Sequence, residues 1–286
     1  MIQRYDFAPL DGITKVVFRQ VYHRMFGGAD RYFIPFFSPT DQHILTKRDQ
    51  RELDPAANAG LPVVPQVMTC RAPDFLWAAE IVADMGYTEV NLNLGCPSGT
   101  VTAKGKGAGF LAKPEELERF FDEVFAAVKL PVSIKTRLGV KEPEEFERLL
   151  DIYNRYPIAC LTIHPRVQKQ FYKGTVHRDW FAWAAERSRN PPVLQRGSGD
   201  RGGLHSLCGG LSCHRRGDDR PRGHRGPGPA AEAPGRRPHH PAGAPDLHPD
   251  AVSVLPGLLW PGGPGGPADE GGLVLPDPPV RGRRTP

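Results

Sequence analysis

Short apolar, β-rich runs recur along the first 193 residues, at 5–9, 32–37, 62–68, 89–94, 132–136, 160–164 and 192–193. Between several of them lie stretches with helical periodicity. Segment 14–26 sets Val17, Phe18, Val21 and Met25 in a one-sided stripe. Segment 74–85 follows Pro73 and stops at Gly86, the Pro-start and Gly-stop of a helix. Segments 114–128 and 143–153 each open on Pro followed by two Glu, which suit the positive end of a helix dipole. Alternation of strand and helix at this spacing predicts βαβ units and a parallel sheet. Six or seven such units fit either a TIM-type (β/α)8 barrel or an open doubly wound sheet. No G-x-G-x-x-G follows the first run, which counts against a nucleotide-binding open sheet.

Polar residues cluster at the carboxyl ends of these runs. Pro9, Leu10, Asp11 and Gly12 follow the first, and Gln66 comes late in the third. Asn91, Asn93 and Cys96 end the fourth, Lys135 and Arg137 the fifth, His164 and Arg166 the sixth. In a barrel these positions converge on one face, where active sites form, so the expected class is α/β with a TIM-type (β/α)8 barrel. A lysine directly after Val132-Ser133-Ile134 is costly to bury unless an anion or cofactor pairs with it. Singly, each residue has a plainer reading: a strand Gln as a satisfied core amide, a lone His as a structural side chain. Five strand ends with polar groups together do not.

The pattern stops near residue 194. Residues 197–286 hold 20 Gly and 16 Pro, and no Lys, Phe, Tyr, Ile, Asn, Met or Gln. Low-complexity tails are rich in Gly and Pro, but they normally keep Lys and Gln. Six of the seven missing types have codons rich in A and T, which points to a GC-rich gene read out of frame. Shifting the degenerate codons of residues 194–198 by one nucleotide permits Tyr-Asn-Gly-Asp-Leu, and the same shift at 268–278 permits one face of an amphipathic helix. The expected organisation is therefore a catalytic barrel at 1–193, incomplete at about six to seven strands with no recognisable eighth. An irregular, out-of-frame, disordered tail at 194–286 follows. The 11 Arg and 6 His of residues 197–286 are then accidents of frame, against the alternative of a basic RNA-binding tail.

Composition narrows the class further. No run of 18 apolar residues appears, and the start MIQRYDFAPL lacks a signal-peptide pattern, so neither a membrane span nor a secreted precursor is expected. Five Cys without a C-x-x-C pair indicate neither a disulfide framework nor a zinc site, and a reducing cytoplasm is the expected setting. A net charge of +5 permits an anionic partner.

The stretches APLDG at 8–12, Gln66, NLNLGCPSGTV at 91–101, KGKGAGFL at 104–111, SIKTRLG at 133–139 and IHPR at 163–166 carry a resemblance. Together they resemble the tRNA-dihydrouridine synthases over essentially all of 1–193. The resemblance implies an FMN-containing barrel that reduces the carbon 5–carbon 6 double bond of uridines in tRNA, with NADPH restoring the flavin, and a monomer is favoured. It implies that Cys96 is the general acid protonating carbon 5. Pro9, Leu10, Asp11 and Gln66 would contact the flavin ring, with Lys135 and His164 as further flavin contacts. Asn93, Arg137 and Arg166 fall to the substrate, as do Lys104 and Lys106.

The residue types suit that chemistry. A thiol holds its proton at neutral pH and serves as an acid without strong perturbation, and a lysine offsets negative charge on a reduced flavin. The stretch from Lys104 to Gly109 could cradle phosphate through backbone N–H groups. A solvated loop closing over an extruded base is the other reading. The sequence also departs from the family. An Asn-Gly-Asp turn after strand seven and a Gly-rich turn after strand eight would hold the FMN phosphate; residues 195–200 read Gln-Arg-Gly-Ser-Gly-Asp instead. The family's C-terminal helical domain, which helps hold tRNA, is missing from this frame. The chain as it stands is therefore expected to fold poorly and to bind FMN weakly or not at all. Three other readings stay open: an FMN barrel of the dihydroorotate dehydrogenase type acting on a free pyrimidine, a lyase using Lys135 as a Schiff base, and a non-catalytic remnant.

Overall fold

The computed structural model describes residues 5–27 and 29–195, together with the backbone of 252–255. Its strands are β1 (Asp6–Phe7), β2 (Arg31–Phe33), β3 (Val63–Val64), β4 (Gln66–Val67), β5 (Val90–Leu94), β6 (Val132–Arg137), β7 (Cys160–His164), β8 (Pro192–Gln195) and β9 (Val252–Leu255). They form one parallel sheet in the order β3-β2-β1-β9-β8-β7-β6-β5-β4. β3 and β4 are two halves of one run, parted at Pro65, which has no N–H for a ladder. The two ends of the ladder are thus consecutive in the chain, the strand order of a TIM-type (β/α)8 barrel that stays incomplete, since β3 and β4 do not pair with each other.

The helices are α1 (Val16–Phe26), α2 (Lys47–Leu53), α3 (Ala72–Asp84), α4 (Gly99–Thr102), α5 (Pro114–Ala127), α6 (Glu145–Tyr153) and α7 (Arg178–Arg187). Among the described residues no helix follows β8 or β9, so the helical layer is incomplete there. No described helix is long and apolar enough to cross a membrane.

Strict alternation divides the central strands between two environments. Val90, Leu92 and Leu94 of β5, Ile134 of β6 and Leu161 and Ile163 of β7 join Phe75 of α3, Phe121 of α5 and Phe146 of α6 in one buried core. The opposite parity carries Asn91, Asn93, Ser133, Lys135, Arg137, Thr162 and His164, so the inside of the barrel is polar and grows more so toward the carboxyl ends.

Two expectations change. The sequence offers no recognisable eighth strand, yet β9 lies between β8 and β1, with Val252 opposite Val193 and Val254 opposite Asp6. The run Val-Ser-Val-Leu is β-prone, but a composition averaged over 90 residues of Gly and Pro conceals it. Leu194 and Gln195 belong to β8, and apart from these and β9 the expected tail lies outside the described residues. The second change concerns α1, whose stripe of Val17, Val21 and Met25 faces outward, with Val17 65% and Met25 67% exposed. Its inner face is Val16 and Arg19 instead. Arg19 donates from Nη1 to Glu52 Oε2 at 3.1 Å and to the Thr14 carbonyl at 2.8 Å, and from Nη2 to Asn58 Oδ1 at 2.9 Å. Phe18 of the stripe does pack inward, with Tyr22, on Phe7 at centroid distances of 6.1 and 4.7 Å, so the buried guanidinium adds a polar anchor that hydrophobic periodicity does not register.

Candidate active site

Nine of the residues expected at the site line one cavity at the carboxyl ends of the strands. Pro9, Leu10 and Asp11 lie beyond β1, Gln66 on β4, Asn93 on β5 and Cys96 just past it, Lys135 and Arg137 on β6, and His164 on β7. Strand register brings them together: Asn93 stands opposite Lys135, and Arg137 opposite His164. Pro35, Phe36, Gly95, Tyr172 and Gln195 complete the lining and were not anticipated. Pro35 and Phe36 follow β2 as Pro9 and Leu10 follow β1, so the strand-end rule was enough to find them. Tyr172 returns to the cavity from the long connection after β7, and sequence position carried no signal of it.

A chain of buried amides sets the thiol loop. Ser133 Oγ accepts from Asn91 Nδ2 at 2.8 Å, Asn91 Oδ1 accepts from Gln66 Nε2 at 2.7 Å, and Gln66 Oε1 accepts from Asn93 Nδ2 at 2.7 Å. Asn93 Oδ1 then accepts the backbone N–H groups of Gly95 at 3.0 Å and Cys96 at 2.9 Å. Each amide orientation is dictated by the next, and the chain ends on the backbone of Cys96. Asn93 therefore positions the thiol, a task in addition to the substrate contact expected of it.

The cavity is cationic. Lys135 makes no hydrogen bond or ion pair among the described residues. Burial, then the neighbouring Arg137, lower its pKa to about 7, with Cys96 pulling the other way. Arg137 is committed to the scaffold: Nε donates to the Gly95 carbonyl at 2.8 Å, and Nη1 to the carbonyls of Phe171 at 2.7 Å and Val167 at 3.2 Å. Its guanidinium also lies over the Tyr172 ring, 5.4 Å from the centroid. His164 is held neutral, its pKa driven far down by burial and then by Arg137, Lys135 and Arg166. Nη1 of Arg166 lies 3.0 Å from His164 Nε2; a guanidinium only donates, so Nε2 accepts and the ring proton is on Nδ1. Asp11 is at the open edge, its Oδ1 accepting from Arg48 Nη2 at 2.6 Å.

Three expected residues do not line the cavity. Arg166 stands behind His164. Lys104 and Lys106 lie on the connection after β5, and that connection is no phosphate cradle. The N–H groups of Lys104, Gly105, Lys106, Ala108 and Gly109 are all taken by the chain's own carbonyls, that of Ala108 by the Cys96 carbonyl at 3.0 Å. Its glycines serve close approach. A Cβ at Gly107, where φ is +55°, would come within 2.8 Å of the Cys96 carbonyl oxygen, and one at Gly109 within 2.6 Å of the Thr102 carbonyl oxygen. Cys70, Cys96 and Cys160 are free thiols. Among the described residues no group of His, Cys, Asp and Glu could hold a metal ion.

Fold and site define a (β/α)8 barrel whose carboxyl face gathers a positioned thiol, buried amides and cations, the arrangement of an enzyme. The family model for dihydrouridine synthase (Dus) matches residues 6–194, and the chain belongs to that family. It is similar to a probable tRNA-dihydrouridine synthase 1 of Synechocystis, 34% identical over 66% of this chain and 53% of the relative. It is also similar to a probable tRNA-dihydrouridine synthase of Rhodobacter capsulatus, 33% identical over 66% of this chain and 58% of the relative. A tRNA-dihydrouridine(16) synthase of Ralstonia nicotianae is 30% identical over 67% of this chain and 61% of its own length. The chain thus spans little more than half the length of these curated relatives. The family match ends at Leu194, where the composition changes.

Proposed function

We propose that the barrel reduces uridine to 5,6-dihydrouridine in tRNA, with FMN as its flavin and NADPH as the reductant. The observation that carries this is the pairing, in one cavity, of a half-buried lysine without a described partner and a thiol fixed through its backbone. The residues present fit an anionic, hydrogen-bonding ring system. Lys135 is a cation with no anion, and the buried Oε1 of Gln195, also on the cavity, has no donor. Pro9, Leu10, Asp11, Gln66, Lys135 and His164 would hold the flavin. When bound, the flavin supplies the hydride that carbon 6 of the uracil receives. Cys96 keeps its proton at Sγ and delivers it to carbon 5, the double bond being reduced by one hydride and one proton. Asn93 orients that thiol. Neutral His164 presents Nδ1–H as a donor, and Arg137 ties the loop bearing Tyr172 to the loop bearing Cys96.

The reading frame changes near codon 194 in this proposal, supported by the coincidence of the family match with the compositional break. Fluorimetric titration of the 286-residue chain is then expected to show weak FMN binding that Lys135→Met abolishes. Restoring the frame is expected to yield tight binding and uridine reduction. In that repaired protein Cys96→Ala should slow reduction by about 10² to 10⁴-fold while leaving FMN affinity unchanged. Full-speed reduction without the thiol would overturn the role given to Cys96. The lowered pKa of Lys135 also favours a second reading, a Schiff-base lyase; borohydride trapping of a carbonyl substrate on Lys135 would establish it.

A further inference from the structure

The rim of the cavity carries two different kinds of cation. On the side of β1 to β4 two arginines are paired. Arg48 lies 2.6 Å from Asp11, and Arg71 lies 3.1 Å from Asp41. On the side of β5 to β7 the lysines are not. Lys104 and Lys106 on the connection after β5, and Lys169 and Lys173 on the connection after β7, form no ion pair among the described residues. β5, β6 and β7 are successive strands of the ladder, so these two connections emerge from the same sector of the barrel. Each of them also supplies the cavity with a residue, Cys96 from one and Tyr172 from the other.

The second connection has a further signature. Between its lysines it exposes two aromatic rings, Phe171 at 48% and Tyr172 at 64%. Aromatic faces interleaved with lysines are what single-stranded nucleic acid binds, bases on the rings and phosphates on the ammonium groups. The loop is also held in shape. Arg137 binds the Phe171 carbonyl, Nε and Nη2 of Arg166 donate to the Gly174 carbonyl at 3.4 and 3.3 Å, and Gln170 Nε2 donates to the Thr175 carbonyl at 3.1 Å. A binding loop ordered beforehand loses little entropy on docking.

We infer that Lys169 and Lys173 bind phosphates of the RNA strand flanking the extruded uridine, with Phe171 beside them as a stacking surface for an adjacent base. Lys104 and Lys106 take phosphates on the other flank. The strand then crosses the cavity mouth over the β5–β7 sector rather than the sector where Asp11 and Asp41 already pair with Arg48 and Arg71. This inference rests on the proposal that the substrate is RNA, and its test separates the two.

A fluorescein-labelled, unmodified tRNA transcript is titrated with the full 286-residue chain by anisotropy over a range of KCl concentrations. Each phosphate contact adds about 0.7 to 0.9 to the slope of log K against log salt. The Lys169→Ala/Lys173→Ala variant is expected to bind roughly tenfold more weakly near 0.1 M salt and to reduce the slope by about 1.5. Lys169→Arg/Lys173→Arg should keep the parental slope, as should Arg71→Ala, because that cation is already paired. Both lysines lie on a surface loop, and an unchanged far-ultraviolet circular dichroism spectrum verifies the fold. A parental slope in the double alanine variant, with the parent binding RNA, overturns the inference and leaves the RNA substrate standing. Failure of the parent itself to bind RNA in a salt-dependent way overturns the inference, while the RNA substrate is decided separately by uridine reduction in the frame-restored protein.

Discussion

Helix α5 turns Leu117, Phe120, Phe121 and Val124 onto the sheet, where they are buried against β5, α3 and α6, while α1 sends Val17, Val21 and Met25 into solvent and anchors itself through Arg19. Both helices carry an apolar stripe of helical period. They differ in their neighbours: α5 has a described helix on either side, whereas on the β9 side of α1 no helix is described. In a barrel of right-handed βαβ units each helix needs cover from the next as well as from its strands. A stripe therefore marks a face that something covers, and the sheet is only one candidate. The same contrast holds for charge. Arg19 is a buried cation surrounded by acceptors; Lys135 is a half-buried one with none among the described residues, and it is the one in the cavity.

The comparison is most sharply tested by Phe121→Ala. Its ring meets Phe120, Phe125, Tyr153 and Tyr156 at centroid distances of 5.2 to 6.0 Å. Truncation should cost about 3–5 kcal/mol in urea unfolding, and a loss under 1 kcal/mol would mean that this core is not formed. A smaller effect follows from Lys135. Its folded pKa of about 7 lies below the ordinary lysine value of 10.5, so between those values the unfolded chain binds more protons than the folded one. Stability must then rise with pH across that window. The melting temperature of the ligand-free chain is expected to climb by a few degrees between about pH 7 and 9, and to stay flat in Lys135→Met. The smallest effect belongs to α1. Replacing Val17 and Val21 together by Ser should shift stability in the 286-residue chain by no more than about 0.5 kcal/mol. The same pair in the frame-restored protein should cost more, and equal costs in both would show that nothing covers the stripe.

Much of the site was legible because a parallel barrel forces every strand end onto one face. Gln66, Asn93, Lys135 and His164 could be read from alternation alone: each breaks an apolar run at its carboxyl end. Tyr172 could not, since a loop residue reaches the cavity only through the path of its loop, here set by Arg137 and Arg166 binding the carbonyls of Phe171 and Gly174. Of the two readings open for the connection carrying Lys104 and Lys106, its backbone hydrogen bonds count against the cradle, for a related reason. Glycines that allow a phosphate to approach and glycines that allow a neighbouring carbonyl to approach look alike in sequence.

Periodicity, alternation and strand-end chemistry by themselves determined the class of fold and the residues of the polar barrel interior, because both follow from repeats of two and 3.6 residues that need no partner to be recognised. The tertiary structure alone decided that Asn93 aims Cys96, that Lys135 lacks an anion while Arg19 has acceptors, that β9 lies between β8 and β1, and which face of α1 is bare. Each of these depends on what lies across a gap of dozens of residues, and a local pattern holds no record of that.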